Sequence, residues 1–407
     1  MKEKEDLKKI FMAGVDRVLG YNAVYKFLED NNLTEQFNLI SIGKAGSSMA
    51  KAALKSMEGN IKSGLIITKR KHLDDELKNY KNIECLESDH PTPSMQSIIC
   101  GEKLIKFIED TETEGNFLFL LSGGGSSLAE NLVDGFSLDE LVEITDALLS
   151  RGYNISEINA VRKYFSKIKG GKLANYIKGR KTIILTISDV PHDDPKVIAS
   201  GPLSYDDFKI DLNKYDDDIS EKLKKVKPLS CPSKDKFLNV QTNIIAKLDD
   251  AKFACSDLGK KLNYDVYINE KFIEGDVIEL ASYFHDYLLN CPNGLHIWGG
   301  ESSVKLPDNP GRGGRNQQLS LLMAEKIQNL DNITFLSAGT DGTDGPTNDA
   351  GGVVDGKTIN LGVELNLNHQ KSLSEADSGN YLDKVGALIT TGPTGTNVMD
   401  LILAIKS

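Results

Sequence analysis

Asn116-Phe117-Leu118-Phe119-Leu120-Leu121-Ser122-Gly123-Gly124-Gly125-Ser126-Ser127 is the stretch whose reading decides the fold. Within it Phe117 to Leu121 is an unbroken run of large apolar residues, too short for a buried helix and followed by Ser122 and the glycines. Such a run predicts a strand covered on both faces, which is the signature of a parallel sheet. Three glycines in a row let the backbone approach a ligand closely, and a following helix would offer unpaired N–H groups to an anion. An ordinary tight strand-to-helix turn uses the same residues. Working outward, 37–42 reads as a second buried strand and 45–57 as the helix after it. Strands are expected at 63–68, 82–87 and 182–187, and helices at 95–109 and 138–150. Apolar strands alternating with helices imply a mostly parallel sheet with helices on both faces.

The chain has 407 residues. At roughly 100–200 residues per domain, two domains are expected. Residues 211–250 lack glycine and are rich in Lys and Asp, which reads as a solvated connection near a domain boundary. A second α/β pattern follows: helices at 252–262 and 277–289, and strands at 264–268, 295–298, 333–336 and 387–390. Residues 294–356 hold 12 glycines in 63 positions, against roughly 7% on average, and this suggests loops built around a ligand. Acidic residues outnumber basic ones 59 to 48, a net charge of −11. That balance argues against a nucleic-acid binder. No apolar run approaches the roughly 18 residues of a membrane span. The mixed-charge start Met1-Lys2-Glu3-Lys4-Glu5-Asp6 carries no signal-peptide pattern. Five scattered cysteines without a Cys-x-x-Cys pair fit free thiols in the cytoplasm.

Several loops carry candidate chemistry. Ser41-Ile42-Gly43-Lys44-Ala45-Gly46 places a lysine beside a helix start, where it can meet a phosphate oxygen as a point charge or stand at an ordinary turn. Ser188-Asp189-Val190-Pro191-His192-Asp193-Asp194 follows a buried strand. Its carboxylates suit Mg²⁺ or the orientation of a hydroxyl, and Asp and Pro also build turns. Ser200-Gly201-Pro202 adds a tight bend. Gly299-Gly300-Glu301 is expected as a further strand-end loop. Gly311-Arg312-Gly313-Gly314-Arg315-Asn316 opens a helix, and its two arginines look like a clamp for phosphate or carboxylate. Asp341, Asp344 and Asp349 are spaced as in a calcium loop, but Gly352 stands where the glutamate of such a loop belongs. Gly351 to Thr358 matches the P-loop string G-x-x-x-x-G-K-[ST], yet it lacks the flanking strand and long helix, so a working P-loop is not expected. His90, in Ser88-Asp89-His90-Pro91, reads equally as a substrate contact or a turn residue.

Taken together, these strings resemble the class II glycerate 2-kinase family with its C-terminal MOFRL domain. The matching stretches are SIGKAGSSMA (41–50), SDHPTP (88–93), LLSGGGSSL (120–128), INAVRKYFSKIKGGKLA (158–174), ISDVPHDDPKVIASGP (187–202), GGES (299–302), GRGGRNQQL (311–319), GTDGTDGPTNDAGGVVDG (339–356) and TGPTGTNVMDL (391–401). The resemblance implies an α/β protein: a Rossmann-like α/β/α N-terminal domain, placed at 1–240, and a smaller MOFRL-type α/β domain at 241–407, with the active site in the cleft between them. It implies transfer of the ATP γ-phosphoryl group to the 2-hydroxyl of D-glycerate. Lys44 and Arg315 match the family's catalytic, substrate-holding cations. Ser122, Gly123, Gly124, Gly125 and Ser126 match its phosphate loop, with Asn316 as a further nucleotide contact. Asp189, with Asp193 or Glu301, would hold Mg²⁺ or orient the hydroxyl. The implied partners are ATP, Mg²⁺ and D-glycerate; homo-oligomerisation stays open. A hydroxypyruvate reductase is the first alternative, and it lacks a G-x-G-x-x-G fingerprint here. A non-catalytic binder of small phosphorylated acids is the second, and it has no use for the strand-end carboxylates.

Overall fold

The computed structural model describes residues 2–112 and 114–407. The chain forms two compact units. One is Gly20–Ile245; the other joins the residues up to Leu19 with Ala246–Ser407.

The first unit carries strands β1 (Phe37–Ile42), β2 (Ile61–Lys69), β3 (Ile83–Ser88), β4 (Asn116–Leu121), β5 (Thr182–Ile187) and β6 (Val240–Ala246), in the order β3-β2-β1-β4-β5-β6. All pairings from β3 to β5 are parallel. β1 and β5 are buried along their whole length, as mainly apolar runs are when helices cover both faces. Phe117 and Phe119 of β4 are fully buried, and truncating either to alanine would cost roughly 3–5 kcal/mol. This is the doubly wound strand order, and its direction reverses between β1 and β4. In that pair Ser41 lies opposite Leu120 and Ile42 opposite Leu121. The two strands therefore end level, and the loops after them leave the sheet side by side. The helix Leu138–Ser150 starts where expected because Ser137 and Glu140 cap each other reciprocally.

The second unit is also α/β, but its sheet is mixed. Strands β7 (Val266–Asp276), β8 (Gly294–Ser303), β9 (Ile333–Gly339), β10 (Gly351–Asp355), β11 (Leu388–Ile389) and β12 (Asp400–Lys406) run in the order β11-β10-β9-β12-β8-β7. β7 and β8 are parallel, whereas β12 is antiparallel to both β8 and β9. The last strand of the chain thus sits in the middle of the sheet.

The compact units divide at 245/246, beside the 240/241 expected, and residues up to Leu19 group with the C-terminal part. The reason is the apolar stripe of the helix Lys2–Arg17: Leu7, Ile10, Phe11 and Val15 recur at helical spacing and are all fully buried. A Cβ on Gly14 would lie 2.7 Å from Cys255 Sγ and 2.9 Å from Leu401 Cδ1. Further, Gly299 to Glu301 is not a loop; it continues β8. A Cβ on Gly300 would strike the backbone carbonyl of Ile273 in β7. A Cβ on Gly299 would strike Leu248 of the helix Leu248–Lys261, so these glycines serve close packing on a strand and a helix.

Candidate active site

At the point where the parallel sheet reverses, the two loops are joined through their backbones. The Lys44 N–H donates to the Gly123 carbonyl at 2.9 Å, and the Ala45 N–H donates to Ser122 Oγ at 3.0 Å. Thr68 Oγ1 donates to the Gly43 carbonyl at 3.0 Å. Gly43 has φ +136°, and a Cβ there would collide with Ser122. Only glycine lets the loops meet this closely. Gly124 has φ +82°; a Cβ on it would lie 2.8 Å from His90 Cδ2 and 3.3 Å from Lys44 Cγ. His90 and half-buried Lys44 therefore flank the middle of the triple glycine.

The expected helix after the triple glycine is a single turn, Gly125–Leu128. The long helix at this place is instead Gly46–Ser56, directly after Lys44. Among the described residues its first turn has no side-chain cap. The N–H groups of Ala45 and Gly46 are taken by Ser122 Oγ and the Gly43 carbonyl, and the positive end of the helix dipole lies at the Lys44 loop.

The loop after β5 lies beside this region. Ser200 Oγ donates to Ser126 Oγ at 3.0 Å. A Cβ on Gly125 would lie 3.0 Å from the Ala199 methyl group. Asp189 and Asp193 are half-buried in that same loop, with Asp193 at φ +54°.

The second unit holds a different arrangement around Arg315, the first residue of the helix Arg315–Lys326. Its Nε and Nη2 grip Asp400 at 2.7 and 3.1 Å, and its Nη1 meets Glu301 Oε1 at 2.7 Å. Burial works against charge on Arg315, yet the carboxylates of Asp400 and Glu301 outweigh it and hold the guanidinium above its ordinary pKa. The helix start is not open to an anion, because buried Asp344 already accepts from the N–H groups of Asn316 and Gln317 at 3.1 and 2.8 Å. Burial pushes the Asp344 carboxyl up to about 7, against the pull of these backbone donors. Asn316 is 1% exposed. It accepts from Ser337 Oγ at 2.6 Å and so turns into the unit.

The paired-arginine clamp is not formed. Arg312 points away to Asp349 and Asp383, at 2.6 and 2.8 Å. The P-loop string folds as strand β10 and a turn; a seven-residue helix, Thr358–Glu364, does follow it. Among the described residues no group of three His, Cys, Asp or Glu is placed to hold a metal ion. Mg²⁺ ordinarily takes one or two carboxylates, completing its shell with water and phosphate. Asp189 and Asp193 fit that need, since they share one loop at the carboxyl end of β5. Glu301, the third candidate, is paired with Arg315 at 2.7 Å in the second unit.

Sequence reasoning left His90 open, treated Ser200 as a bend and passed over Asp400. The signal for Asp400 was a lone carboxylate opening the final apolar run.

The fold defines an α/β protein whose glycine-rich loops meet at the switch point of a doubly wound sheet. A family model described as a domain of unknown function (DUF4147) matches residues 6–226, and the MOFRL family model matches residues 294–400. A D-glycerate 2-kinase from Thermotoga maritima is 36% identical, covering 100% of both chains. A glycerate 2-kinase from Pyrococcus horikoshii is 35% identical over 90% of this chain and 86% of its own. The crystal structure of glycerate kinase from Thermotoga maritima superposes with a TM-score of 0.86 at 32% identity, covering 99% of each chain. The chain belongs to the glycerate 2-kinase family. Among the described residues no helix is long and apolar enough to cross a membrane.

Proposed function

We propose that this protein is a D-glycerate 2-kinase, moving the γ-phosphoryl group of ATP to the 2-hydroxyl of D-glycerate to give 2-phosphoglycerate and ADP. The observation that carries this reading is the Lys44–Gly123 junction: a cation, a glycine-lined backbone and an uncapped helix N-terminus meet where the parallel sheet reverses. Such a place suits the phosphates of a nucleotide. Phosphoryl transfer asks a protein mainly for positioning and charge neutralisation. In this reading the Ser122 to Ser126 backbone cradles the ATP phosphates, and the Lys44 ammonium meets the transferred group as a point charge. Arg315 holds the glycerate carboxylate through Nη1, the nitrogen that Glu301 takes in this structure. Its other edge stays locked on Asp400, which fixes the plane of the guanidinium. Asn316 acts indirectly, by holding the helix start beside Asp344. Asp189 and Asp193 would hold Mg²⁺, which when bound neutralises phosphate charge.

Oxidoreduction of hydroxypyruvate with a nicotinamide cofactor is disfavoured, because the switch-point loops read Gly-x-x-Gly and Ser-Gly-Gly-Gly, not the dinucleotide fingerprint. One pair of assays separates the readings. ADP release that depends on D-glycerate is expected, with no oxidation of NADH or NADPH by hydroxypyruvate. The reverse pattern contradicts the kinase. Ligand retention without either turnover would leave a binder.

A further inference from the structure

Beside the triple-glycine loop stands a run of three left-handed residues that the proposed chemistry does not use. Ala199, Ser200 and Gly201 have φ of +49°, +61° and +59°. Two of them carry side chains, for which this conformation is unfavourable. The run is held by backbone bonds from a neighbouring turn: Gly170 N–H to the Ser200 carbonyl at 2.9 Å, Gly171 N–H to Gly201 at 2.7 Å and Leu173 N–H to Pro202 at 3.2 Å. That turn is itself left-handed at Gly170 and Gly171. Below it lies a buried ion pair. The Lys169 ammonium bonds the Glu130 carboxylate, and the two residues are 1% and 0% exposed. Ser166 Oγ donates to Glu130 at 2.6 Å and accepts from the N–H groups of Ile168 and Lys169 at 3.1 Å each. The ion pair fixes the turn, the turn fixes the left-handed run, and the run delivers one hydroxyl to one place. Ser200 is 6% exposed, and its Oγ donates to Ser126 Oγ.

We infer that Ser200 is a positioning residue of the phosphoryl-transfer site, acting through the hydroxyl of Ser126. A hydroxyl has one hydrogen and two lone pairs. By occupying a lone pair of Ser126, Ser200 leaves the hydrogen of Ser126 for a phosphate oxygen and polarises it. A purely structural turn would be better served by glycine at position 200, which adopts the same φ without strain. The serine is explained by what its hydroxyl does. The inference rests on the kinase reading for its kinetic readout but not for its binding readout.

The test is a cycle of Ser200→Gly, Ser126→Ala and the double variant, with Ser200→Ala as a second single variant that keeps the backbone strain. Mg·ATP affinity is read by calorimetry, and kcat is read with D-glycerate. Ser200→Gly is expected to melt no more than about 2 °C below the parent, or above it. It should still lose about ten- to a hundredfold in kcat and about threefold or more in Mg·ATP affinity. Ser200→Ala should lose as much activity. The double variant should lose no more than Ser126→Ala alone, because the two residues act in series. Parental kcat and affinity in Ser200→Gly would overturn the inference. So would losses that multiply in the double variant. A parent that binds Mg·ATP but leaves D-glycerate untouched would retire the kinase reading, while the same non-additive pattern in affinity would still support the role of Ser200.

Discussion

Lys44 and Arg315 are both cations at the start of a helix, yet their surroundings are opposite. Lys44 stands among glycines and backbone N–H groups, next to a helix start without a side-chain cap. Arg315 stands among Asp400, Glu301 and Asp344, and its helix start is already filled by a carboxyl group. In the proposed function the first setting, with its glycine-lined backbone and helix N-terminus, receives the negative charge of a phosphate. The second is already rich in negative charge, and serves to hold a guanidinium in one plane. A basic residue beside a glycine-rich turn is therefore not one kind of object. Its role depends on what else has been brought to it.

The largest expected effect breaks this contrast on the Lys44 side. Lys44→Ala should lower kcat/KM by about 10³-fold, since a charge aimed at the transferred group is lost. The fold should be retained, because Lys44 is half-buried in a loop and no core side chain is removed. Steady-state kinetics beside a thermal melt reads both. Arg315→Lys should behave differently, losing about 10–100-fold in kcat/KM together with stability of about 1–3 kcal/mol. A lysine cannot grip Asp400 with two parallel bonds, and Asp400 is only 2% exposed. Chemical denaturation of this variant with unchanged stability would contradict the anchoring account.

These two outcomes bear on what the sequence made legible. The strands 116–121 and 182–187 were plain because a doubly covered strand is apolar at most positions, here with Asn116, Thr182 and Thr186 as the exceptions. The Lys44 and triple-glycine strings stood out locally, but the junction between them, from Lys44 to Gly123, joins residues far apart in the chain. The surroundings of Arg315 were hidden, because they come from residues 14, 29 and 85 positions away, at Glu301, Asp344 and Asp400. The Arg312–Arg315 clamp was inferred from closeness in the chain. The structure separates the two because each arginine has a better carboxylate partner across the fold. The helix Lys2–Arg17 was missed although Leu7, Ile10, Phe11 and Val15 mark it; its charged start drew attention away from its period. Gly299 and Gly300 misled because glycine in a strand serves close packing as readily as it serves a loop.

A smaller effect concerns pH. Burial raises the folded Asp344 carboxyl from 3.8 to about 7. Between those values the folded protein keeps a proton that the unfolded chain has lost. The stabilisation from this group is thus full below about pH 4 and is lost as pH rises through about 7. Asp344→Asn keeps an acceptor for the helix start and does not titrate. The stability of the parent relative to this variant should fall between about pH 4 and pH 7, by about 3–4 kcal/mol. A flat difference across that range, measured by urea unfolding, would show that Asp344 is ionised throughout. The smallest effect is expected for Arg312→Ala: kcat within about twofold of the parent, and about 1 kcal/mol of stability lost with its partly exposed pairs to Asp349 and Asp383. A large kinetic defect here would restore the two-arginine clamp.

The central claim is that the Lys44 junction handles the phosphates of ATP and passes one of them to the 2-hydroxyl of D-glycerate. Phosphorus NMR of an incubation with ATP, Mg²⁺ and D-glycerate tests it most directly. The account predicts a 2-phosphoglycerate resonance growing with that of ADP. A 3-phosphoglycerate resonance, or no phosphoglycerate at all from folded protein that binds ATP, would contradict it.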